Sequence, residues 1–399
     1  MANARMTELG SRRSVIREIF EYGNRRRAEI GPENVFDFSL GNPSIPAPAA
    51  VTATMERLVR ELNPVDLHGY TSAPGAPAVR AQIAAAIRQR FGVEAAAENL
   101  YMTCGAAASL TIALCALLEE GEEVLVPAPY FPEYRVFAET AGGVFTPVAC
   151  RPGDLQPDVP AMARAITEKT RVVLLNSPNN PTGAVYTEET LRALAAVLEQ
   201  KQAAYGKPIY IVADEPYREL VYEGEVPYIP ALYANTLVCY SYSKSFSLPG
   251  ERIGYIFVPP AAADAGAVYA AVCGAGRALG YVCAPSLLQY TVGECAALEP
   301  DISAYRRNRD RLYEALTACG YETVPPAGAF YLFVKALEPD AAAFCARARE
   351  QELLLVPGDD FGCPGYVRIA YCVAPETIEG ALPRFRALAE SYGNGEKQV

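Results

Sequence analysis

Ser241-Tyr-Ser-Lys-Ser-Phe-Ser-Leu-Pro-Gly-Glu-Arg-Ile-Gly-Tyr255 follows directly on the apolar run Thr236-Leu-Val-Cys-Tyr240. The run reads as a β-strand, and its C-terminal edge passes into small hydroxyl residues around one lysine. In open α/β sheets that edge is where ligands sit. A lysine in apolar surroundings and near a second cation, here Arg252, loses proton affinity and becomes usable as an amine nucleophile. The hydroxyls of Ser241 and Ser243, with Arg252, make an anion site suited to a phosphate ester. An amine beside a phosphate clamp describes a seat for pyridoxal phosphate, whose aldehyde needs the first and whose phosphate needs the second. Taken alone, Lys244 is equally a solvated lysine after an ordinary strand. Ser241-x-x-Lys244 also matches the Ser-x-x-Lys of penicillin-recognising enzymes, but no Ser-Asp-Asn or Lys-Thr-Gly follows.

Length and composition narrow the field. The chain has 399 residues, 51% hydrophobic and 20% charged, enough for two domains with sizeable cores. A formal net charge of −11 and a pI near 4.9 argue against nucleic acid or an anionic membrane as partner. Any arginine that holds an anionic substrate here works against the mean field, so such arginines should be few and placed. The first residues hold no apolar signal core, and no 18-residue apolar run occurs, which predicts a cytoplasmic protein without a membrane span. Eleven cysteines lack a Cys-x-x-Cys pair, and Cys115, Cys239 and Cys345 lie in apolar runs, as buried reduced thiols do. The single histidine, His68, reads as a loop residue and leaves no His-based zinc site, so no metal is expected.

Along the chain, residues 1–35 are polar and basic (Arg12, Arg13, Arg25, Arg26, Arg27) around the amphipathic Val15-Ile-Arg-Glu-Ile-Phe20, a helix lying on the body. Phe36–Leu40 reads as a short strand ending in Gly41-Asn-Pro-Ser, where backbone can approach a ligand closely. Helices are expected over 49–62 and 76–91, separated by a loop that carries Tyr70. Strand Leu100–Cys104 leads through Gly105-Ala-Ala-Ala into a helix over 110–118, a geometry that holds phosphate on backbone N–H groups. Further strands are expected at 123–127, 171–175 and 208–213. The first is followed by Tyr130 and Phe131, aromatics able to stack on a planar ring or to fill the core. The second runs into Asn176-Ser-Pro-Asn-Asn-Pro-Thr-Gly183, and Thr187 opens the next helix. The third ends in Asp214-Glu-Pro-Tyr217, where a buried carboxylate needs a cationic partner such as a protonated pyridine nitrogen. One crossover unit separates Asp214 from Lys244, so both can project from neighbouring strand ends.

Gly274-Ala-Gly-Arg-Ala-Leu-Gly280 has its third glycine one position late for a dinucleotide fingerprint and lies deep in the chain, so it is rejected as one. It leaves Arg277 in a flexible stretch, free for other work. Helices are expected at 301–318 and 341–352, with strands at 328–334 and 366–371. Arg368 sits inside the last of these, where an unpaired guanidinium is expensive, so it needs a carboxylate from the protein or from a substrate. The tail at 393–399 reads as loose.

Together these motifs resemble the class I/II aminotransferases of the fold type I pyridoxal phosphate enzymes, most closely the aspartate aminotransferase-like branch. The resemblance runs from Leu40-Gly-Asn-Pro to Val367-Arg-Ile. Ser177-Pro-Asn-Asn-Pro-Thr-Gly183, Asp214-Glu-Pro-Tyr217 and the stretch around Lys244 carry it, in the family's order. It implies an α/β fold: a three-layer αβα sandwich with a mostly parallel central sheet, plus a smaller α/β domain formed by both chain ends. The expected boundaries are 1–45 for an N-terminal arm and part of the small domain, 46–285 for the large cofactor-binding domain, and 286–399 for the C-terminal domain. The resemblance implies that Lys244 forms a Schiff base with pyridoxal 5′-phosphate and shuttles the Cα proton. Asp214 binds the pyridine nitrogen, and Asn180 and Tyr217 the ring 3-oxygen. Gly105, Ala106, Ala107, Ser241, Ser243 and Arg252 hold the phosphate, and Phe131 stacks on the ring. Tyr70 crosses a homodimer interface to the partner's phosphate, and Arg368 grips the substrate α-carboxylate, assisted by Asn180 and Gly41. Ala106 and Ala107 depart from the hydroxyl or amide residues of several relatives, so backbone N–H groups do more of that work.

The expected activity is ping-pong amino transfer between an L-amino acid, aspartate or glutamate first, and a 2-oxo acid. Arg277 is the candidate for a distal carboxylate. Without it, aromatic or neutral donors become the better reading, and C–S lyase chemistry is a further alternative for the same seat.

Overall fold

In a computed structural model that describes residues 2–11 and 15–393, twelve strands are present. Seven build the central sheet: β2 Leu100–Thr103, β3 Glu123–Ala128, β4 Val144–Ala149, β5 Thr170–Asn176, β6 Tyr210–Asp214, β7 Thr236–Ser241 and β8 Gly254–Phe257. They lie in the order β2-β8-β7-β6-β5-β3-β4, and only β8 runs against its neighbours. The inner strands are apolar almost throughout, as strands covered on both faces must be. Val172, Val173, Leu174 and Leu175 are fully buried.

Side-chain alternation sorts each strand between two helical layers. Val172, Leu174, Val212, Leu237 and Cys239 pack with helix Ala106–Leu117 on one face. Val173, Leu175, Ile211 and Ala213 pack with helix Glu188–Tyr205 on the other. The Thr187 side chain caps that second helix by accepting from the Thr190 N–H. The parity has a consequence for chemistry. Continuing by twos to the strand ends puts Asn176, Asp214 and Ser241 on the face of helix Ala106–Leu117. Asn176 pairs directly with Asp214 across β5 and β6.

The chain ends come together outside this sheet. β1 (Phe36–Asp37) pairs in parallel with β10 (Leu353–Leu354). β9 (Tyr331–Lys335), β11 (Val356–Pro357) and β12 (Tyr366–Ala370) form an antiparallel sheet. Phe36 and Phe38 share a core with Phe330, Leu353, Ile369 and Phe385.

Several elements differ from the sequence reading. The helix expected from Leu110 begins at Ala106, immediately after Gly105, because the small residues Ala106–Ala108 are good helix formers as well as turn residues. Strand β4 and helices Glu133–Thr140 and Val159–Ala165 carry no strong local signal and were not expected. His68 ends a one-turn helix, Pro64–His68, rather than lying in a loop. The N-terminal segment is two helices, Ala4–Ser11 and Val15–Ile30; Arg12, Arg13 and residues 394–399 lie outside the described residues. Cys239 and Cys345 are buried and Cys115 is partly so, all as free thiols. Among the described residues no helix is long and apolar enough to cross a membrane, and no cluster of three potential metal ligands occurs.

Candidate active site

The C-terminal edges of β5, β6 and β7 open into a cavity of about 750 Å³. Lys244 reaches it from the one-turn helix Tyr242–Ser245 that follows β7. The Ser241 side chain caps this turn by accepting from the Ser243 N–H at 3.2 Å, and it also bonds the Ser243 hydroxyl at 2.8 Å. The hydroxyl-rich sequence after β7 is thus what turns the chain and aims the lysine. Burial pulls the Lys244 amine down to about 8, and the nearby positive charges of Arg252 and Arg368 push the same way. Its Nζ donates to the Gly41 carbonyl at 2.6 Å. Gly41 must be glycine here, since a Cβ would stand 2.0 Å from the Tyr331 hydroxyl.

Asp214 ends β6 as a buried carboxylate. Oδ2 accepts from the Tyr134 hydroxyl at 2.5 Å, whereas Oδ1 has no partner. Burial raises its pKa to about 7 against the Tyr134 hydrogen bond, which lowers it. The neighbouring acid Glu215 is one residue on and so faces the opposite side of the sheet. There it is neutralised by Arg218, whose Nε donates to Oε2 at 2.5 Å. Of the two acids, Asp214 alone lines the cavity. An orphaned carboxylate oxygen at the inner end fits a protonated ring nitrogen, the donor it lacks.

At the opposite end, Gly105 (φ +85°) turns β2 into helix Ala106–Leu117, and a Cβ there would approach the Arg252 Nη2 to 3.2 Å. The free N–H groups of this helix start, with Ser241, Ser243 and Arg252, are a set of donors that could hold an anion. Ala106, Ala107, Phe131, Ser241, Ser243 and Arg252 all line the cavity. Tyr130 turns away to pack edge-on against Phe145, which leaves Phe131 as the aromatic available to a planar ring.

Arg368, central in β12, is fully enclosed with no carboxylate partner among the described residues. Its Nη1 donates to Asn180 Oδ1 at 3.0 Å, Nη2 to the Ser39 carbonyl, and Nε to nothing. The Asn180 amide spends its oxygen on Arg368, which leaves its NH2 group as a donor into the cavity. The Tyr217 and Tyr331 hydroxyls are 2.9 Å apart beside it.

Two expected site residues stand apart from this constellation within one chain. Tyr70 is 99% exposed on its loop, and Arg277 is exposed in the last turn of helix Ala265–Ala278; neither lines the cavity. The stretch around Arg277 is helical rather than irregular, since its glycines are spaced among six alanines and helix formers outnumber breakers. Conversely, Tyr134, Asn176 and Tyr331 were missed. Asn176 is what fixes the turn after β5: its Oδ1 accepts from the Asn180 N–H at 2.7 Å and its Nδ2 donates to the Asp214 carbonyl at 2.9 Å. The parity of β5 with β6 was the signal that could have found it. Tyr134 and Tyr331 come from distant segments and left none. Also unforeseen is the N-terminal arm, whose Leu9, Ile16, Arg17 and Phe20 close one side of the cavity.

The model of the family "Aminotransferase class I and II" matches residues 33–385. The chain belongs to this family of pyridoxal phosphate-dependent transaminases. It is 35% identical over 322 residues to the aspartate/prephenate aminotransferase of Thermus thermophilus, covering 79% of this chain and 82% of that one. A crystal structure of an amino transferase from Eubacterium rectale superposes with a TM-score of 0.96 at 54% identity, covering 98% of this chain and 99% of that one. Aspartate aminotransferase from Thermus thermophilus with maleate gives a TM-score of 0.85 at 29% identity, over 97% and 100% of the two chains.

The cofactor-free protein has a measurable signature of the Asp214 site. The folded carboxyl binds a proton more tightly than the unfolded one, so between about pH 4 and 7 the folded state holds more protons and stability falls as pH rises. With the pKa moved from 3.8 to about 7, the loss reaches roughly 4 kcal/mol by neutral pH at 1.36 kcal/mol per unit. Asp214→Asn is expected to flatten that decline in denaturant midpoints measured from pH 4 to 8. An unchanged slope would contradict the shift.

Proposed function

We propose that this chain moves the amino group of an L-amino acid, aspartate or glutamate, to a 2-oxo acid by a ping-pong cycle, as a cytoplasmic homodimer. The observation that carries the reading is the pairing of two groups with opposite deficits in one cavity. Asp214 Oδ1 is an acceptor without a donor, and Arg368 is a buried cation without an anion. A ring nitrogen bearing a proton answers the first and a substrate α-carboxylate the second. Bound between them, pyridoxal phosphate supplies an aldehyde for the amine and a conjugated ring that takes up the electrons of the substrate Cα–H bond.

The residues then divide the work. Asp214 holds positive charge on the ring nitrogen, because the alternative is an unpaired buried carboxylate. Arg368 fixes the α-carboxylate through its planar fork and so orients the Cα–H bond. Lys244, neutral in an appreciable fraction near pH 8, is the base that takes the Cα proton and returns it. Asn180 and Tyr217 are the donors for the ring oxygen. Arg252, Ser241, Ser243 and the helix start at Ala106 anchor the phosphate. Tyr70, extended fully away from its own chain, is placed to serve a second copy's phosphate.

The relatives named for aspartate support the donor assignment. The experiment is a panel of L-amino acids against 2-oxoglutarate and oxaloacetate, with half-reactions followed by cofactor absorbance. Aspartate and glutamate should convert the cofactor, and each half-reaction should be isolable. Release of pyruvate from cystathionine without a second substrate would instead mark an elimination enzyme.

A further inference from the structure

We propose that a second cavity, on the face of the central sheet opposite the active site, binds a small organic molecule carrying one primary ammonium group. This cavity, of about 250 Å³, lies between the sheet and helix Pro77–Phe91 and is lined by Tyr228, Tyr240, Tyr242 and Tyr255. Among the described residues it shares no lining side chain with the active-site cavity. The alternation that sends Asp214 and Ser241 to one face of the sheet sends Glu215 and Tyr240 to the other. Tyr242 belongs to the same one-turn helix as Lys244, so an occupant abuts the turn that aims the reacting amine.

Three phenols around this space have nothing to bond. Tyr228, Tyr242 and Tyr255 are no more than 8% exposed, yet among the described residues their hydroxyls make no hydrogen bond. Tyr240 differs, since its hydroxyl meets Glu219 at 2.9 Å and Ser245 at 3.0 Å. A buried hydroxyl without a partner is costly, and three lining one cavity are a set of acceptors matched to the three N–H donors of a primary ammonium. Burial pushes all three phenols up, so they stay neutral and free to accept. The charges select the sign of the ligand. Arg218 holds Glu215 through Nε at 2.5 Å, and Arg90 pairs with Glu219 at 2.8 Å. Exposed Glu299 is then the lining carboxylate left over, without a partner among the described residues. One negative charge in excess and several aromatic faces favour a cation and repel an anion. The volume lies just below the usual range of drug-sized sites, about 300–1,000 Å³, which suits a body of one ring.

The test titrates phenethylamine into borohydride-reduced holoenzyme by calorimetry. Reduction joins Lys244 to the cofactor by a stable bond, so no added amine can exchange with it, and the outcome does not bear on the donor assignment above. Saturable binding of one phenethylamine per chain is expected. Tyr228→Phe and Tyr255→Phe keep the rings and remove one hydroxyl each, and each should weaken that binding roughly 10- to 100-fold, as for a lost hydrogen bond to a charged group. Glu299→Gln should weaken it about 2- to 5-fold, in keeping with an exposed carboxylate. A structural role for the hydroxyls would lower the melting temperature of the Phe variants. Removal of an unpaired buried hydroxyl should instead leave it unaltered or raise it. Absence of saturable binding to the wild type, or affinities within about twofold of it in both Phe variants, overturns the site. Equal binding of phenylacetate overturns the ammonium assignment.

Discussion

Lys244→Ala is expected to lose amino transfer by roughly four to six orders of magnitude, because one side chain is both the covalent anchor and the proton carrier. The site is built to make that amine usable. An ordinary lysine near 10.4 is neutral in under about 1% of molecules at pH 8, whereas burial brings Lys244 to about 8, where roughly half is neutral. Nothing else that lines the cavity offers a primary amine: its other basic side chains are arginines, and the one histidine of the chain, His68, lies outside the lining. Stopped-flow half-reactions with aspartate measure the effect, with circular dichroism as the folding control. The Lys244→Ala protein should still bind pyridoxal phosphate non-covalently, since Asp214, Arg252 and the helix start at Ala106 remain. Its absorption should be that of the free aldehyde, and borohydride should leave no label on the chain. Near-normal turnover would remove the mechanism, whatever the fold.

Arg368→Ala is expected to lower kcat/KM by about 10²- to 10⁴-fold for amino donor and 2-oxo acceptor alike. Breaking a buried charge pair costs about 3–5 kcal/mol, with a tenfold rate change for each 1.4 kcal/mol. The symmetry is the discriminating part, because both substrates present the same α-carboxylate. A loss confined to one of them would mean that Arg368 serves the side chain of that substrate. Arg368→Lys keeps a charge but loses the fork, and its shorter reach abandons either Asn180 or the substrate. It should recover only a small fraction. The free cofactor-bound protein offers a second check. With its guanidinium enclosed and lacking a counter-ion, Arg368 is destabilising in the absence of substrate. A dicarboxylate inhibitor should therefore raise the melting temperature of the wild type and far less that of Arg368→Ala.

Most of the cavity lining could be read from local patterns because it hangs on strand ends. The apolar runs before Asn176, Asp214 and Ser241 are nearly uninterrupted, and each is followed by turn formers, so both the strand and its C-terminal edge are visible in one dimension. Asp214 was readable as functional because a carboxylate after Tyr-Ile-Val-Ala has no local cation. Arg368 was readable for the opposite reason, as a cation inside Tyr-Val-x-Ile-Ala. Both are violations of a strong local rule. Tyr134 and Tyr331 break no rule: an aromatic near an apolar segment reads as core, and only the fold reveals that their hydroxyls meet Asp214 and Tyr217. Around Arg277 only the backbone reading failed: a glycine-rich stretch suggests an irregular backbone, yet alanine helix propensity across Ala265–Ala278 prevails.

By itself the sequence determined most of the strands that carry the cavity, the lysine after β7 with its hydroxyl and arginine neighbours, and the two buried charges that wait for partners. Periodicity and local rule-breaking are properties of neighbouring residues, so they survive in one dimension. Which face each strand end presents to which helix, and that the N-terminal helices bring Leu9, Ile16 and Phe20 to the same cavity, depended on packing between segments distant in sequence. The placement of Tyr134 against Asp214 belongs to that second kind: its helix reads the same wherever it lands, and only the docked position turns its hydroxyl to the carboxylate.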